Sequence, residues 1–213
     1  MSNLNPKLST TLRLSPVIPV LVIDRTADAV PLARALLAGG LKVLEVTLRT
    51  PAALDIIEVL ARQVPEAVVA AGTVTNPRQW EQAARAGAKF MVSPGLTPAL
   101  IEASADLPAP LLPGVATTSE LMTALDAGFN CFKFFPAQQA GGIGMLKAFH
   151  GPFPDAQFCP TGGITPALAP DYLQLPNVAC VGGSWLAPAD LVKAGEWEQI
   201  RCLAEGAASL VRR

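Results

Sequence analysis

Short apolar runs recur along the chain at intervals that leave room for one helix between neighbours. They are VIPVLVI (17–23), KVLEVTL (42–48), AVVAAG (67–72), KFMVSPG (89–95), PLLPGV (110–115), FNCFKFFP (129–136), AQFCPTGG (156–163) and NVACVGG (177–183), eight in all. Helix-like stretches such as DAVPLARALLAGG, TPAALDIIEVLARQVP and NPRQWEQAARAGA separate most of them. Strands that alternate with helical patterns argue for βαβ units and a parallel sheet. Eight such units closed on themselves make a (β/α)8 barrel. The expected fold is therefore α/β: a single (β/α)8 TIM barrel with an N-terminal helix, with residues 1–213 as one domain. After PTGGI, Pro166, Pro170 and Pro176 allow only a brief helix.

Composition bounds what such a barrel does. Of 213 residues, 51% are hydrophobic and 15% charged, enough for a large buried core. The net charge is −1 and the 16 basic residues are scattered, so neither nucleic acid nor an anionic membrane is an expected partner. No apolar run approaches the ~18 residues that span a bilayer. The opening stretch MSNLNPKLSTTLRLSP has no apolar segment of the kind a signal peptide needs. Cys131, Cys159, Cys180 and Cys202 are too widely spaced for a metal knuckle, and read as buried, reduced thiols of a cytoplasmic protein. The one histidine, His150, beside Gly151 and Pro152, reads as a loop residue. One histidine excludes a three-histidine zinc site and strains a Ser-His-Asp triad. Acid–base chemistry must then rest on carboxylates, lysine or water, and neither a metal nor an organic cofactor is expected.

Three units share a finer pattern. ALLAGGLKVLEVT, QAARAGAKFMVSP and TALDAGFNCFKFFP each end a helix in Gly-Gly or Ala-Gly and then enter a strand. Glycine just past a helix supplies the left-handed C′ residue. Five residues after Gly40, Gly87 and Gly128 stand Glu45, Val92 and Lys133. The two charges thus hold equivalent places in the second and sixth runs. Side chains on a barrel strand alternate in and out, and alternate strands fill one interior layer. Glu45 and Lys133 are expected to point inward in one layer, with Val43, Thr47, Arg49, Cys131 and Phe135 sharing their parity. Leu44, Val46 and Leu48 then face the helices.

An inward lysine and carboxylate have two readings. In one they form a buried ion pair that fills the barrel, although desolvation makes such pairs poor stabilisers. In the other they do chemistry. Burial disfavours an ammonium, and a neutral amine attacks a ketone or aldehyde to form a Schiff base. A carboxylate beside it moves the protons. The strands before the last two loops end in CPTGGIT and VGGSWL. Phosphate commonly sits at these loops of a barrel, where paired glycines let backbone N–H groups approach an anion. Ser184 adds a hydroxyl. Arg49 and Thr73, just past the second and third strand ends, are placed to hold a carboxylate; a surface loop is the plainer reading of Arg49. Trp80, Trp185 and Trp197 read as helix-packing residues. PGVATTSE reads as a strand end followed by a helix cap with Glu120 nearby.

EVTLRT (45–50), AGTV (71–74), SPGL (93–96), PGVATTSE (113–120), FKFFPA (132–137), FCPTGGI (158–164) and VGGSWL (181–186) together resemble 2-keto-3-deoxy-6-phosphogluconate aldolase, the family also called 2-keto-4-hydroxyglutarate aldolase. The resemblance runs in order through essentially the whole chain. It differs mainly in the N-terminal helix, the loop QQAGGI (138–143) and the C-terminal helix. It implies a class I aldolase of the Entner–Doudoroff route, reversibly cleaving 2-keto-3-deoxy-6-phosphogluconate to pyruvate and glyceraldehyde 3-phosphate, with 2-keto-4-hydroxyglutarate as a further substrate. It implies a homotrimer. Lys133 matches the Schiff-base lysine and Glu45 the acid–base. Arg49 and Thr73 match binders of the pyruvyl end, with Pro94 and Phe135 as the wall around it. Thr161 is counted among the substrate-binding residues, and Gly162, Gly163, Gly183 and Ser184 match the phosphate end. Two rival readings keep the glycine loops: a phosphate-binding barrel isomerase or epimerase in which Lys133 is only an electrostatic partner, and a non-catalytic barrel that binds a sugar phosphate.

Overall fold

In the structure, a computed structural model describing residues 6–211, every one of the eight apolar runs contains strand. The ends of the expected 1–213 domain, residues 1–5 and 212–213, lie outside the described residues. The strands are β1 (Val17–Leu21), β2 (Val43–Thr47), β3 (Val68–Gly72), β4 (Phe90–Val92), β5 (Leu111–Leu112), β6 (Gly114–Val115), β7 (Cys131–Phe134), β8 (Gln157–Pro160) and β9 (Val181–Gly183). All pair in parallel.

The fifth run differs from expectation by holding two strands. Pro113 has no N–H to give a ladder, and here it divides the run. β5 pairs with β4, and β6 pairs with β7. The Pro113 carbonyl still accepts from the Lys133 N–H at 2.9 Å. The hydrogen-bonded order is β5-β4-β3-β2-β1-β9 in one sheet and β6-β7-β8 in the other. At the other end of each sheet the two meet again through the bridges Phe158↔Val178 and Thr161↔Gly182. With β5 and β6 counted as one stave, the result is a (β/α)8 barrel.

The helices are α1 (Pro6–Leu12), α2 (Thr26–Ala38), α3 (Ala53–Gln63), α4 (Pro77–Arg85), α5 (Pro98–Ala103), α6 (Thr118–Asp126), α7 (Gly142–His150), α8 (Ala169–Leu173), α9 (Ala189–Ala194) and α10 (Trp197–Ala208). The brief helix expected after PTGGI is α8, five residues long. Among the described residues no helix is long and apolar enough to cross a membrane.

The shared helix–glycine–strand pattern has one physical cause. Gly40, Gly87 and Gly128 take φ of 93°, 104° and 88°. Each donates its N–H to the carbonyl three residues back: Leu37, Ala84 and Leu125. The residue after each glycine donates to the carbonyl five back: Leu41 to Leu36, Ala88 to Ala83, Phe129 to Ala124. This pair of bonds is the Schellman motif with its apolar C″ residue, and Leu41, Ala88 and Phe129 are buried. Three identical stops launch three strands in the same register, which is why a count of five from the glycine lands on equivalent positions.

Two apolar clusters result. The larger lies between strands and helices and includes Leu44, Val46, Phe132, Phe134 and Phe158. The smaller fills the barrel interior with Ile18, Val43, Ala70, Phe90, Val92, Leu112, Cys131, Cys159, Ala179 and Cys180, and Leu8 and Leu12 of α1 pack on it. The expected parity holds for Val43, Val92 and Cys131 inside and for Leu44 and Val46 outside. Arg13, just past α1, reaches Gln157 at the start of β8 at 2.6 Å, so α1 sits at the end where strands begin.

Two smaller expectations are corrected. His150 is the last residue of α7, because the stop is delayed to Gly151. Cys202 is exposed on α10, while Cys131, Cys159 and Cys180 are buried. Trp185 stands in the loop after β9 and packs against the core from there. Trp80 does pack a helix, with its indole N–H on the Pro108 carbonyl at 2.9 Å. The cap expected near Glu120 is a full capping box on α6 built from Thr117 and Glu120.

Candidate active site

On β2 and β7, two residues beyond Val43 and Cys131 of the interior cluster, the lining changes from apolar to charged. Lys133 Nζ donates to Glu45 Oε1 at 3.1 Å, and the two side chains are 7% and 4% exposed. β2 and β7 carry them toward each other across the barrel. Glu45 is in register with Val20 and Ala70, and Lys133 with Gly114 and Cys159, so every laddered neighbour is apolar or small. Burial of both charges is tolerable because each is the other's partner.

Gly72, at the end of β3, makes room for the carboxylate. A Cβ there would overlap Glu45 Oε1 and Cγ, so only glycine leaves Glu45 this position. Thr73 follows at φ 60°, a left-handed conformation that a β-branched residue rarely adopts. Strain of this kind gathers at functional sites. Sequence reasoning passed over Gly72, although a glycine closing a strand is itself a signal of close approach.

The other expected residues stand at the same mouth, where the strands end. Phe135 lies just past β7, with Lys133 Nζ 5.4 Å from its ring centre. Pro94 lies just past β4 and packs by its backbone against Gly114, the ladder partner of Lys133. Arg49 is exposed just past β2 and donates from Nε to Thr47 Oγ1 at 3.2 Å. Thr161, buried just past β8, directs Oγ1 against Gly182, where a Cβ would overlap it. Cys131, two residues before Lys133, is no nucleophile here, since burial pushes its thiol up to about 11 and thiolate is the reactive form.

The two glycine loops flank this mouth. Gly162 and Gly163 take φ of 105° and 73° in succession. A Cβ on Gly162 would sit 3.2 Å from Pro136 Cα, so this turn rides directly on the end of β7. The Gln138 N–H donates to the Gly162 carbonyl at 3.1 Å, and the Ala137 N–H to that of Thr161 at 2.8 Å. Gly183 is covered by the Trp185 ring, and Ser184 is exposed beside it. The bridge Thr161↔Gly182 ties the two loops' roots together. Arg49 and Ser184 belong to this mouth without touching the Lys133–Glu45 pair.

Known proteins are similar to this chain in sequence and fold. Residues 8–203 match the KDPG and KHG aldolase family. The 2-dehydro-3-deoxy-phosphogluconate aldolase of Pseudoalteromonas atlantica is 55% identical over 194 residues, which cover 91% of this chain and 90% of that one. The crystal structure of KDPG aldolase from Legionella pneumophila, with pyruvate captured as a covalent carbinolamine intermediate, is 51% identical, with a TM-score of 0.93 over 94% of this chain and 98% of that one. The aldolase of Zymomonas mobilis ZM4, solved with 3-phosphoglycerate, is 50% identical, with a TM-score of 0.90 over 96% of each chain. A family match over most of the chain, on a fold that brings a lysine and a carboxylate together inside a barrel, leaves one assignment: the protein belongs to the KDPG and KHG aldolase family.

Proposed function

We propose that this chain is a class I aldolase that reversibly cleaves 2-keto-3-deoxy-6-phosphogluconate to pyruvate and glyceraldehyde 3-phosphate, and that it also accepts 2-keto-4-hydroxyglutarate. The observation that carries this is the buried contact of Lys133 Nζ with Glu45 Oε1 at 3.1 Å inside the barrel. The Legionella relative, whose pyruvate is held as a carbinolamine, supports it.

The steps use this chain's own groups. Proton transfer from Lys133 to Glu45 yields a neutral amine beside a carboxylic acid. The amine attacks the C2 ketone, and the resulting hydroxyl takes the proton back from Glu45 as water leaves. Glu45 then accepts the C4 hydroxyl proton. The C3–C4 bond breaks, its electrons pass into the iminium, and glyceraldehyde 3-phosphate departs. Glu45 returns the proton to C3 of the enamine, and water releases pyruvate. Arg49 and Thr73 hold the pyruvyl carboxylate, Pro94 and Phe135 wall it, and Thr161 lines its far side. Gly162, Gly163, Gly183 and Ser184 receive the phosphate. One barrel domain over residues 1–213, a homotrimeric assembly and a cytoplasmic location complete the reading.

Purified protein given 2-keto-3-deoxy-6-phosphogluconate should form pyruvate and glyceraldehyde 3-phosphate in equal amounts, undiminished by prior treatment with a chelator. Absence of either product, or loss on chelation, would overturn the assignment. Ser184→Ala tests the phosphate end. It should lose on the order of 1.5–3 kcal/mol with the phosphorylated substrate, one hydrogen bond to a charged group, and much less with 2-keto-4-hydroxyglutarate. Equal losses would remove Ser184 from the phosphate site.

A further inference from the structure

Arg49 is exposed, and its long side chain has several rotamers open to it, yet a carboxylate clamp needs a guanidinium held in one orientation. Thr47 supplies the hold. It stands two residues before Arg49 and two after Glu45, at the end of β2, and is 2% exposed. Its Oγ1 donates to the Leu21 carbonyl at 2.8 Å and accepts from Arg49 Nε at 3.2 Å. The directions of both bonds are forced. A carbonyl only accepts, so the hydroxyl proton belongs to Leu21. A guanidinium only donates, so Arg49 must meet the remaining lone pairs.

We infer that Thr47 is a positioning residue for substrate binding: the relay Leu21 C=O, Thr47 hydroxyl, Arg49 Nε fixes the guanidinium plane to the end of β1. With Nε engaged, the terminal nitrogens are left to face an incoming carboxylate in a bidentate manner. A second threonine makes the same kind of stitch nearby, from Thr50 Oγ1 to the Ile23 carbonyl at 2.8 Å. The segment carrying Arg49 is thus pinned on both sides to the chain leaving β1. Thr47 Oγ1 is already engaged on both sides by protein groups, the Leu21 carbonyl and Arg49 Nε. Its effect must pass through Arg49.

This inference rests on the proposal that Arg49 holds the pyruvyl carboxylate, and a double-mutant cycle separates the two. Steady-state cleavage of 2-keto-3-deoxy-6-phosphogluconate is measured for Thr47→Val, Thr47→Ser, Arg49→Ala and Thr47→Val/Arg49→Ala. Arg49→Ala should raise KM strongly; if it does not, the carboxylate reading of Arg49 fails on its own. Given that rise, Thr47→Val should raise KM by roughly fivefold to twentyfold, the scale of one lost hydrogen bond, with kcat within about threefold. Thr47→Ser should return KM to near the parent value. In the Arg49→Ala background, Thr47→Val should add nothing. A KM unchanged by Thr47→Val, or an effect that persists without Arg49, overturns the relay. If the valine variant does not fold, Thr47→Ala takes its place in the cycle, and failure of both to fold assigns Thr47 to the barrel's stability and overturns the proposal.

Discussion

The interior of this barrel has two floors built from the same strands. On the lower floor β2 and β7 contribute Val43 and Cys131, packed with Ile18, Phe90 and Cys159 and closed beneath by Leu8 and Leu12. Two residues farther along, the same strands contribute Glu45 and Lys133, in contact at 3.1 Å and bordered by Gly72 and Gly114. The lower floor is what stability alone would choose. The upper floor sets two charges where aliphatic side chains would pack, and small residues where large ones would fill. A sequence that keeps a feature its fold does not need points to chemistry there.

Exchanging the floors gives the largest effect. Lys133→Met should lower kcat by roughly four orders of magnitude or more, because no other group forms the imine. It should also lower stability by about 3–5 kcal/mol, since Glu45 is left buried without its partner. Adding Glu45→Leu, which makes the upper floor resemble the lower one, should restore that stability or raise it above the parent, with activity still absent. Chemical denaturation of the three proteins reads this directly. A double variant less stable than Lys133→Met would show that the pair is structural.

Glu45→Gln is next. It keeps the shape of the upper floor but removes the proton carrier, and should lower kcat by roughly two to four orders of magnitude with a smaller change in KM. A near-normal kcat would take the acid–base role from Glu45. On the lower floor, Cys131→Ala should do the reverse. It should reduce stability by on the order of 1–2 kcal/mol through lost packing while kcat stays near the parent value.

The smallest effect belongs to a place outside both floors. Burial pushes the Glu120 carboxyl up, but hydrogen bonds from the Ala116 and Thr117 N–H groups and the Thr117 hydroxyl outweigh it and hold it below the ordinary carboxylate range. A carboxyl depressed in the folded state stabilises above its unfolded value, near 4.3, and loses that contribution as pH falls through the folded value. Thr117→Ala should cost about 1 kcal/mol near neutrality. The deficit of Glu120→Gln should shrink as the pH is lowered below about 4, and melting curves at a series of pH values check it.

What the sequence showed, and what it hid, follows from the range of each interaction. The strands, the helix stops at Gly40, Gly87 and Gly128 and the facing of Glu45 and Lys133 are local or periodic, and local patterns are written in residue spacing. The division of the fifth run at Pro113 depends on which neighbour each half pairs with, so spacing does not record it. His150 was misplaced because Gly151 and Pro152 read as a loop, whereas α7 runs to their very edge. The contact of Gly72 with Glu45 joins two strands, and the relay through Thr47 joins three segments. Parity put Thr47 on the inner side, but its partner, the Leu21 carbonyl, is a backbone atom with no signature in the sequence.

The central claim is that Lys133 is the covalent centre of the upper floor. Protein treated with pyruvate and borohydride, then digested and analysed by mass spectrometry, tests it most directly. The account predicts one added three-carbon unit, carried by the peptide containing residues 130–138 and located on Lys133, and no such unit when pyruvate or borohydride is omitted. A unit on any other lysine, or none, would contradict it.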